Sequence, residues 1–255
     1  MPFLKVTPEK LSQSVVRQIE LLILRGILRP GERLPSERDM AEKLAVSRPS
    51  LRDAISELAE RGLLVSKAGS GIFVADVLGS AFSPALTELF ASHDEAVFDY
   101  IAFRRDMEGL AAERAARLGS ETDLQVIDTI FRKMEAAHQK RDPSDEAQLD
   151  AEFHMAIIEA SHNVIMLHML RSMFDLLRQG VFYNRQVMFR NRMTRDQLLD
   201  QHRTINAAIQ SRDPEGAKAA IAAHMAYVEQ AFHDQMKAEK HEAIARQRLE
   251  HEASR

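Results

Sequence analysis

Asp150 and His154 stand four residues apart in a stretch that reads as a helix. That spacing puts both side chains on one face, close enough to share a cation. His202, in Asp200-Gln201-His202, lies on a helical stripe with Ile205 and Ile209, and His224, in Ala222-Ala223-His224-Met225, lies on one with Ile221 and Val228. Both histidines are therefore expected to face inward. One carboxylate and three imidazoles suit Zn²⁺, Ni²⁺ or Mn²⁺ better than Ca²⁺ or Mg²⁺. In a five- or six-coordinate ion such a set leaves positions that an organic carboxylate could take. The competing reading is three hydrogen-bonded core histidines, the usual fate of an inward imidazole. His93, His138, His162, His168, His233, His241 and His251 are read as surface, cap or packing residues.

A carboxylate ligand needs a counter-charge. Arg104 follows Ile101 by three residues and precedes Glu108 by four. Its guanidinium could hold a carboxylate through two parallel hydrogen bonds. The same spacing fits a plain intrahelical pair with Glu108, and Arg105 is a substitute for the first role.

Helical periodicity supplies the elements that must position these groups. Helices are expected over 84–91, 94–118, 121–140, 144–161, 163–190, 194–211 and 214–240 or beyond. Turn and cap residues separate them at Gly119-Ser120, Arg141-Asp142-Pro143, Ser161-His162-Asn163 and Arg212-Asp213-Pro214. Met166, Met169, Leu170, Met173, Leu176 and Leu177 read as a core stripe of pliable side chains. The last stretch, 241–255, is charged and helix-prone with no strong apolar face, and is expected to be a solvated tail that frays.

The amino-terminal part carries a different chemistry. A helix from about Pro8 to Arg25 has an apolar stripe of Leu11, Val15, Ile19, Leu22 and Ile23, and Gly26 ends it. After the Arg29-Pro30-Gly31 turn, Ser36 caps a second helix, with Asp39 three residues on. Met40, Leu44 and Val46 point inward. Ser47 caps a third helix with Leu51, Ile55 and Leu58 inward and Arg48, Ser50 and Arg52 on the opposite face. Arginine in the first turn of such a helix can grip guanine with two hydrogen bonds. Arg38 is placed to meet phosphate. Leu63-Leu64-Val65 and Ile72-Phe73-Val74 are two short β runs joined by Ala68-Gly69-Ser70-Gly71, a wing whose backbone can approach a duplex closely. The fold class is mainly α: a winged helix-turn-helix followed by an all-α bundle.

The 255 residues suit two such parts. There is no cysteine, which excludes disulfides and thiolate metal sites. No apolar run of about 18 residues spans a membrane, and no signal-peptide core opens the chain, so a cytoplasmic protein is expected. The net charge of −4 is unevenly spread. Residues 1–77 hold 12 Lys and Arg against 10 Asp and Glu, and the remainder holds 22 against 28. A mildly basic head on an acidic body predicts weak non-specific DNA affinity, so selectivity must come from shaped contacts and dimeric binding.

Leu34-Pro35-Ser36-Glu37-Arg38, Val46-Ser47-Arg48-Pro49-Ser50-Leu51-Arg52 and Gly69-Ser70-Gly71-Ile72-Phe73-Val74 resemble the DNA-binding domain of the GntR family of bacterial transcription regulators. The resemblance implies that Arg38, Arg48 and Arg52 contact DNA, assisted by Ser47, Ser50 and Gly69. The helices that follow resemble the FCD ligand-binding domain of the FadR subfamily. Glu152-Phe153-His154 through Glu159-Ala160-Ser161-His162-Asn163 is especially similar to the lactate, pyruvate and glycolate regulators. An Asp, a His four residues on and two later His are that subfamily's metal pattern, which implies Asp150, His154, His202 and His224 as ligands and Arg104 as the arginine closing the effector pocket.

The expected organisation is a DNA-binding domain at 1–76, a linker at 77–83, an effector-binding and dimerisation domain at 84–240, and the tail at 241–255. The expected function is a homodimeric regulator, acting as a repressor, that reads an inverted repeat of double-stranded DNA and answers to a small carboxylate such as pyruvate, lactate or glycolate. It is not expected to be an enzyme or a membrane protein. A metal-dependent enzyme tethered to DNA lacks a general base beside the ligands. An acyl-CoA-responsive regulator is disfavoured by the full ligand set, and an architectural DNA protein by the large acidic bundle.

Overall fold

Helix α1 (Leu11–Leu24) buries Val15, Val16, Ile19 and Ile23. The buried arc is therefore turned relative to the expected stripe. At 100° per residue Leu11 and Leu22 fall on its flank, and Leu11 is exposed while Leu22 is half-buried. Helix α2 (Glu37–Lys43) starts at Ser36, whose Oγ accepts the Asp39 N–H at 3.2 Å. Helix α3 (Arg48–Glu60) starts at Ser47, whose Oγ accepts the Ser50 N–H at 3.3 Å, and it buries Leu51, Ala54, Ile55 and Leu58. The turn between α2 and α3 carries Ala45 at φ +52°, a left-handed conformation that strains any residue with a Cβ.

Strand β1 (Leu64–Lys67) pairs antiparallel with β2 (Gly71–Val74), Leu64 opposite Val74 and Lys67 opposite Gly71. The connecting loop is one residue shorter than expected, because Gly71 belongs to the strand. The Ser70 N–H donates to the Lys67 carbonyl at 2.9 Å, and Gly69 at φ +71° supplies the positive φ this turn requires. The sequence reading missed a third edge. Gly31 and Leu34 donate to the Val74 and Ile72 carbonyls at 2.9 and 2.8 Å, and Val74 donates back to Glu32 at 2.9 Å. Residues 31–34 thus line β2 and tie the wing to the α1–α2 connection.

The structure is a computed structural model that describes residues 10–76, 83–140, 144–178 and 192–253. The chain forms two compact units, Met1–Ala81 and Phe82–Arg255, each with its own core. Positions 77–82 of the expected linker, the expected start of the first helix at Pro8, and 179–190 of the expected 163–190 helix lie outside the described residues.

The second unit is helical throughout its described residues: α4 (Pro84–Ala91), α5 (Asp94–Leu118), α6 (Glu121–His138), α7 (Ser144–Ala160), α8 (Val164–Arg178), α9 (Arg192–Gln210) and α10 (Pro214–Ala253). Helix α5 is central, packed against α7, α9 and α10. Ala111, Ala112, Ala115 and Ala116 are wholly buried, and their short side chains let neighbouring helices approach closely. Gly119 follows α5 in an extended conformation, and a Cβ there would sit 2.6 Å from the Ala115 carbonyl oxygen, which favours glycine. Ser120 and Asp123 then form a reciprocal capping box that starts α6.

One expectation changes. Met169 is 59% exposed: it lies at the margin of the arc formed by Met166, Leu170 and Phe174, which face the core. Residues 241–253 of the expected tail are helical, continuing α10 without a break to Ala253, with every side chain from Lys237 to Ala253 in solvent. Among the described residues no helix is long and apolar enough to cross a membrane.

Candidate functional site

Helices α7, α9 and α10 bring Asp150, His154, His202 and His224 together, all buried, with one donor atom from each within 4.8 Å of the others. Their inward orientation follows from the stripes around them: Ile205 and Ile209 beside His202, and Ile221 and Val228 beside His224, are all buried. His202 Nε2 lies 3.0 Å from Asp150 Oδ1 and 3.3 Å from His154 Nε2, and His154 Nε2 lies 3.8 Å from Asp150 Oδ1. The His224 ring sits 4.6 Å from the His202 ring and 5.2 Å from that of His154, centroid to centroid.

The outer nitrogens of His154 and His224 face polar groups, whereas His202 Nδ1 is buried with no hydrogen-bond partner among the described residues. Glu108 Oε2, from α5, is 2.7 Å from His154 Nδ1, and the carboxylate assigns the proton to that nitrogen. His224 Nδ1–H donates to Gln201 Oε1 at 2.9 Å. These contacts turn Nε2 of both rings toward the cluster, the second-sphere arrangement that metal-binding histidines show. Burial pushes the His154 and His224 imidazoles below their ordinary pKa, and at His224 the neighbouring His202 and His154 push the same way. The rings are thereby kept neutral, the state that ligates metal. Two imidazole nitrogens 3.3 Å apart beside a carboxylate need a shared proton or a cation between them. The donor set fits a divalent ion of the Zn²⁺, Ni²⁺ or Mn²⁺ kind.

For Arg104 the structure bears out the intrahelical pair. It is buried, and it pairs with Glu108, Nε to Oε1 at 2.6 Å and NH2 to Oε2 at 3.4 Å. Burial works to raise the Glu108 pKa, but the Arg104 charge and the His154 ring outweigh it and hold it at about 2. Phe174 covers the guanidinium at 4.9 Å. Arg105 instead faces partly outward and pairs with Glu229 at 3.4 Å. Glu108, read from sequence only as the partner of Arg104, thus also contacts His154. Gln201 carried no signal beyond adjacency to His202. His138, read as packing, is buried among charged groups, with Nε2 2.9 Å from Asp196 Oδ1.

In the winged unit Arg38, Arg48 and Arg52 all project into solvent, and the Ser47 and Ser50 hydroxyls hydrogen-bond each other at 2.8 Å at the start of α3. Glu37, from α2, receives the Arg52 Nε–H at 2.8 Å and lies 3.9 Å from Arg48 NH2. The sequence reading gave Glu37 no role. A basic helix face beside a glycine-turned wing is the geometry of a helix laid in a major groove.

This fold and surface define a DNA-binding regulator. Residues 11–74 match the family model for bacterial regulatory proteins of the gntR family, and residues 99–227 match the FCD domain. The chain is 35% identical over 227 residues to a regulatory protein assigned to the L-lactate dehydrogenase operon of Escherichia coli (strain K12), covering 88% of this chain and 86% of that one. It is 34% identical over 223 residues to the Glc operon transcriptional activator of the same organism, covering 86% and 88%. A solved structure of a Streptococcus agalactiae GntR protein aligns with TM-score 0.53 at 25% identity, covering 86% of this chain and 99% of that one. The chain belongs to the GntR family, with an FCD domain following its helix-turn-helix, and it is a transcriptional regulator rather than an enzyme.

Proposed function

We propose that this regulator is a homodimeric repressor, with residues 1–76 gripping an inverted repeat and residues 84–240 sensing a small carboxylate such as lactate, pyruvate or glycolate. One observation carries the sensing half: the buried convergence of three imidazoles and one carboxylate in a single site. Asp150, His154, His202 and His224 would hold a divalent ion, which would supply positive charge and open positions for an acid. Arg104 is paired with Glu108, so the positive charge that would draw an anion here would come from the ion, with the guanidinium able to share its donors with the acid. Phe174 and Phe153, both buried, keep water from the site. The similarity to a lactate-operon regulator supports an effector of this chemical class.

On the DNA side, Arg48 and Arg52 reach base edges, Arg38 meets phosphate, and Ser47, Ser50 and Gly69 steady the approach. Effector and operator affinities are coupled reciprocally, so an acid that loosens DNA is itself bound more weakly by the DNA-bound protein.

Two measurements test the proposal. Thermal unfolding of metal-free and metal-loaded protein with each acid should give a rise in Tm that needs both metal and acid, through linkage to the folded state. His224→Ala should abolish that rise and keep a cooperative melt. Operator binding, with the operator selected from random duplexes, should weaken when the active acid is added. Tighter binding would make the protein an activator, and a melt indifferent to every metal would remove the sensing site.

A further inference from the structure

We propose that the buried Glu146–Arg195 pair is a positioning device for the four-residue cluster, setting the spacing of α7 and α9 from which His202 reaches Asp150. This rests on the metal reading above. Glu146, Asp150 and His154 follow one another at four-residue steps on one face of α7, and Arg195 precedes His202 by seven residues, two turns along α9. Two polar layers therefore stack between the same two helices. Glu146 meets Arg195 in one, and Asp150 and His154 meet His202 in the next.

The helices share little backbone contact. α7 packs mainly on α5, α6 and α8, and α9 on α5, α6 and α10. Long polar side chains span the interval between them. Arg195 engages its partners through two nitrogens of its rigid fork. Nε donates to Glu146 Oε1 and Oε2 at 3.1 and 3.0 Å. NH2 donates to Glu146 Oε1 and to the His138 and Lys140 carbonyls, the latter two at 3.2 and 3.1 Å. One guanidinium thus pins the start of α9 to the end of α6 and the start of α7. Arg195, Glu146 and His138 line one small cavity together with His202, so the two layers share a wall.

A buried ion pair contributes little net stability compared with an apolar pair of equal volume. What it fixes well is geometry, and a cation site needs donors placed to within about 0.5 Å. Lysine has one compact charge and cannot copy the fork.

The test uses full-length protein, Arg195→Lys, and the uncharged double variant Glu146→Gln/Arg195→Met, which leaves no lone buried charge. Each is stripped of metal and titrated with Co²⁺, followed by its visible absorption and by competition with Zn²⁺. Metal-free melting is recorded alongside. We expect both variants to bind Co²⁺ about 10–100-fold more weakly, with an altered spectrum. We also expect the double variant to melt near wild type without metal. Wild-type affinity and spectrum in the double variant would overturn the inference alone, however the melting moved. A wild-type protein that takes up no Co²⁺ would overturn the metal reading and this inference together.

Discussion

Arg52 on α3 leaves 61% of its side chain in solvent, whereas Arg104 on α5 leaves 2%. Each is paired with a glutamate at close range, yet the two pairs do different work. Around Arg52, water screens the pair, so the guanidinium is free to exchange its acceptor at low cost. Around Arg104 no water competes, and the pair is tied to Glu108, His154 and through them to the buried cluster. The winged unit thus presents its chemistry on a surface that can meet a large partner. The helical unit encloses its chemistry among buried side chains, out of reach of a large partner.

The largest expected effect probes the enclosed pair. Arg104→Ala strands the Glu108 carboxylate in the core and should cost the helical unit about 3–5 kcal/mol in urea unfolding, while Arg104→Met/Glu108→Gln should recover most of it. A small loss in the single variant would show that water reaches the site. Next, Arg52→Ala should weaken operator binding by about 1–3 kcal/mol and relax base preference, measured by titration against operator variants. Its unfolding free energy should stay within about 0.5 kcal/mol of wild type. A large stability loss there would erase the contrast between the two arginines.

Acid should separate the units further. His154 and His224 titrate below their ordinary 6.5 in the folded protein, so the unfolded chain binds more protons between those values. The contribution of these two histidines to the stability of the metal-free helical unit is therefore fully present above about pH 6.5 and is lost as pH falls below it. Residues 1–76 contain no histidine. Circular dichroism melts from pH 7.5 to 5.5 should show the helical transition falling faster than the winged one, and equal falls would break the distinction. Smallest of all, Ala45→Gly relieves the left-handed turn between α2 and α3 and should change stability by at most about 1 kcal/mol in the favourable direction.

Local features were legible in the chain, and cross-chain features were not. The caps at Ser36, Ser47 and Ser120 sit one helical turn from the amides they accept, so spacing alone reveals them. The Asp150–His154 step is local too, and the inward stripes of His202 and His224 made convergence one of two readings, and the resemblance to the family's metal pattern then favoured it. The contact of Glu108 with His154, the edge formed by residues 31–34 on β2, and the Glu146–Arg195 pair join residues some forty or more positions apart. Periodicity says which way a side chain points, not what it will find there. Leu11 and Met169 misled for a related reason: each lies at the margin of an apolar arc, where one step of 100° decides between core and solvent.

Glu37 gives the recognition face a second property. Its carboxylate stands among arginines that the proposed function sends toward bases, and it meets any approaching phosphate with like charge. To read guanine, Arg52 has to surrender or share an acceptor it already holds. A duplex offering nothing better leaves that bond in place and keeps only the repulsion. Selectivity at this face then comes from refusal as well as attraction, and Glu37→Gln would yield a protein that clings more firmly to wrong sequences.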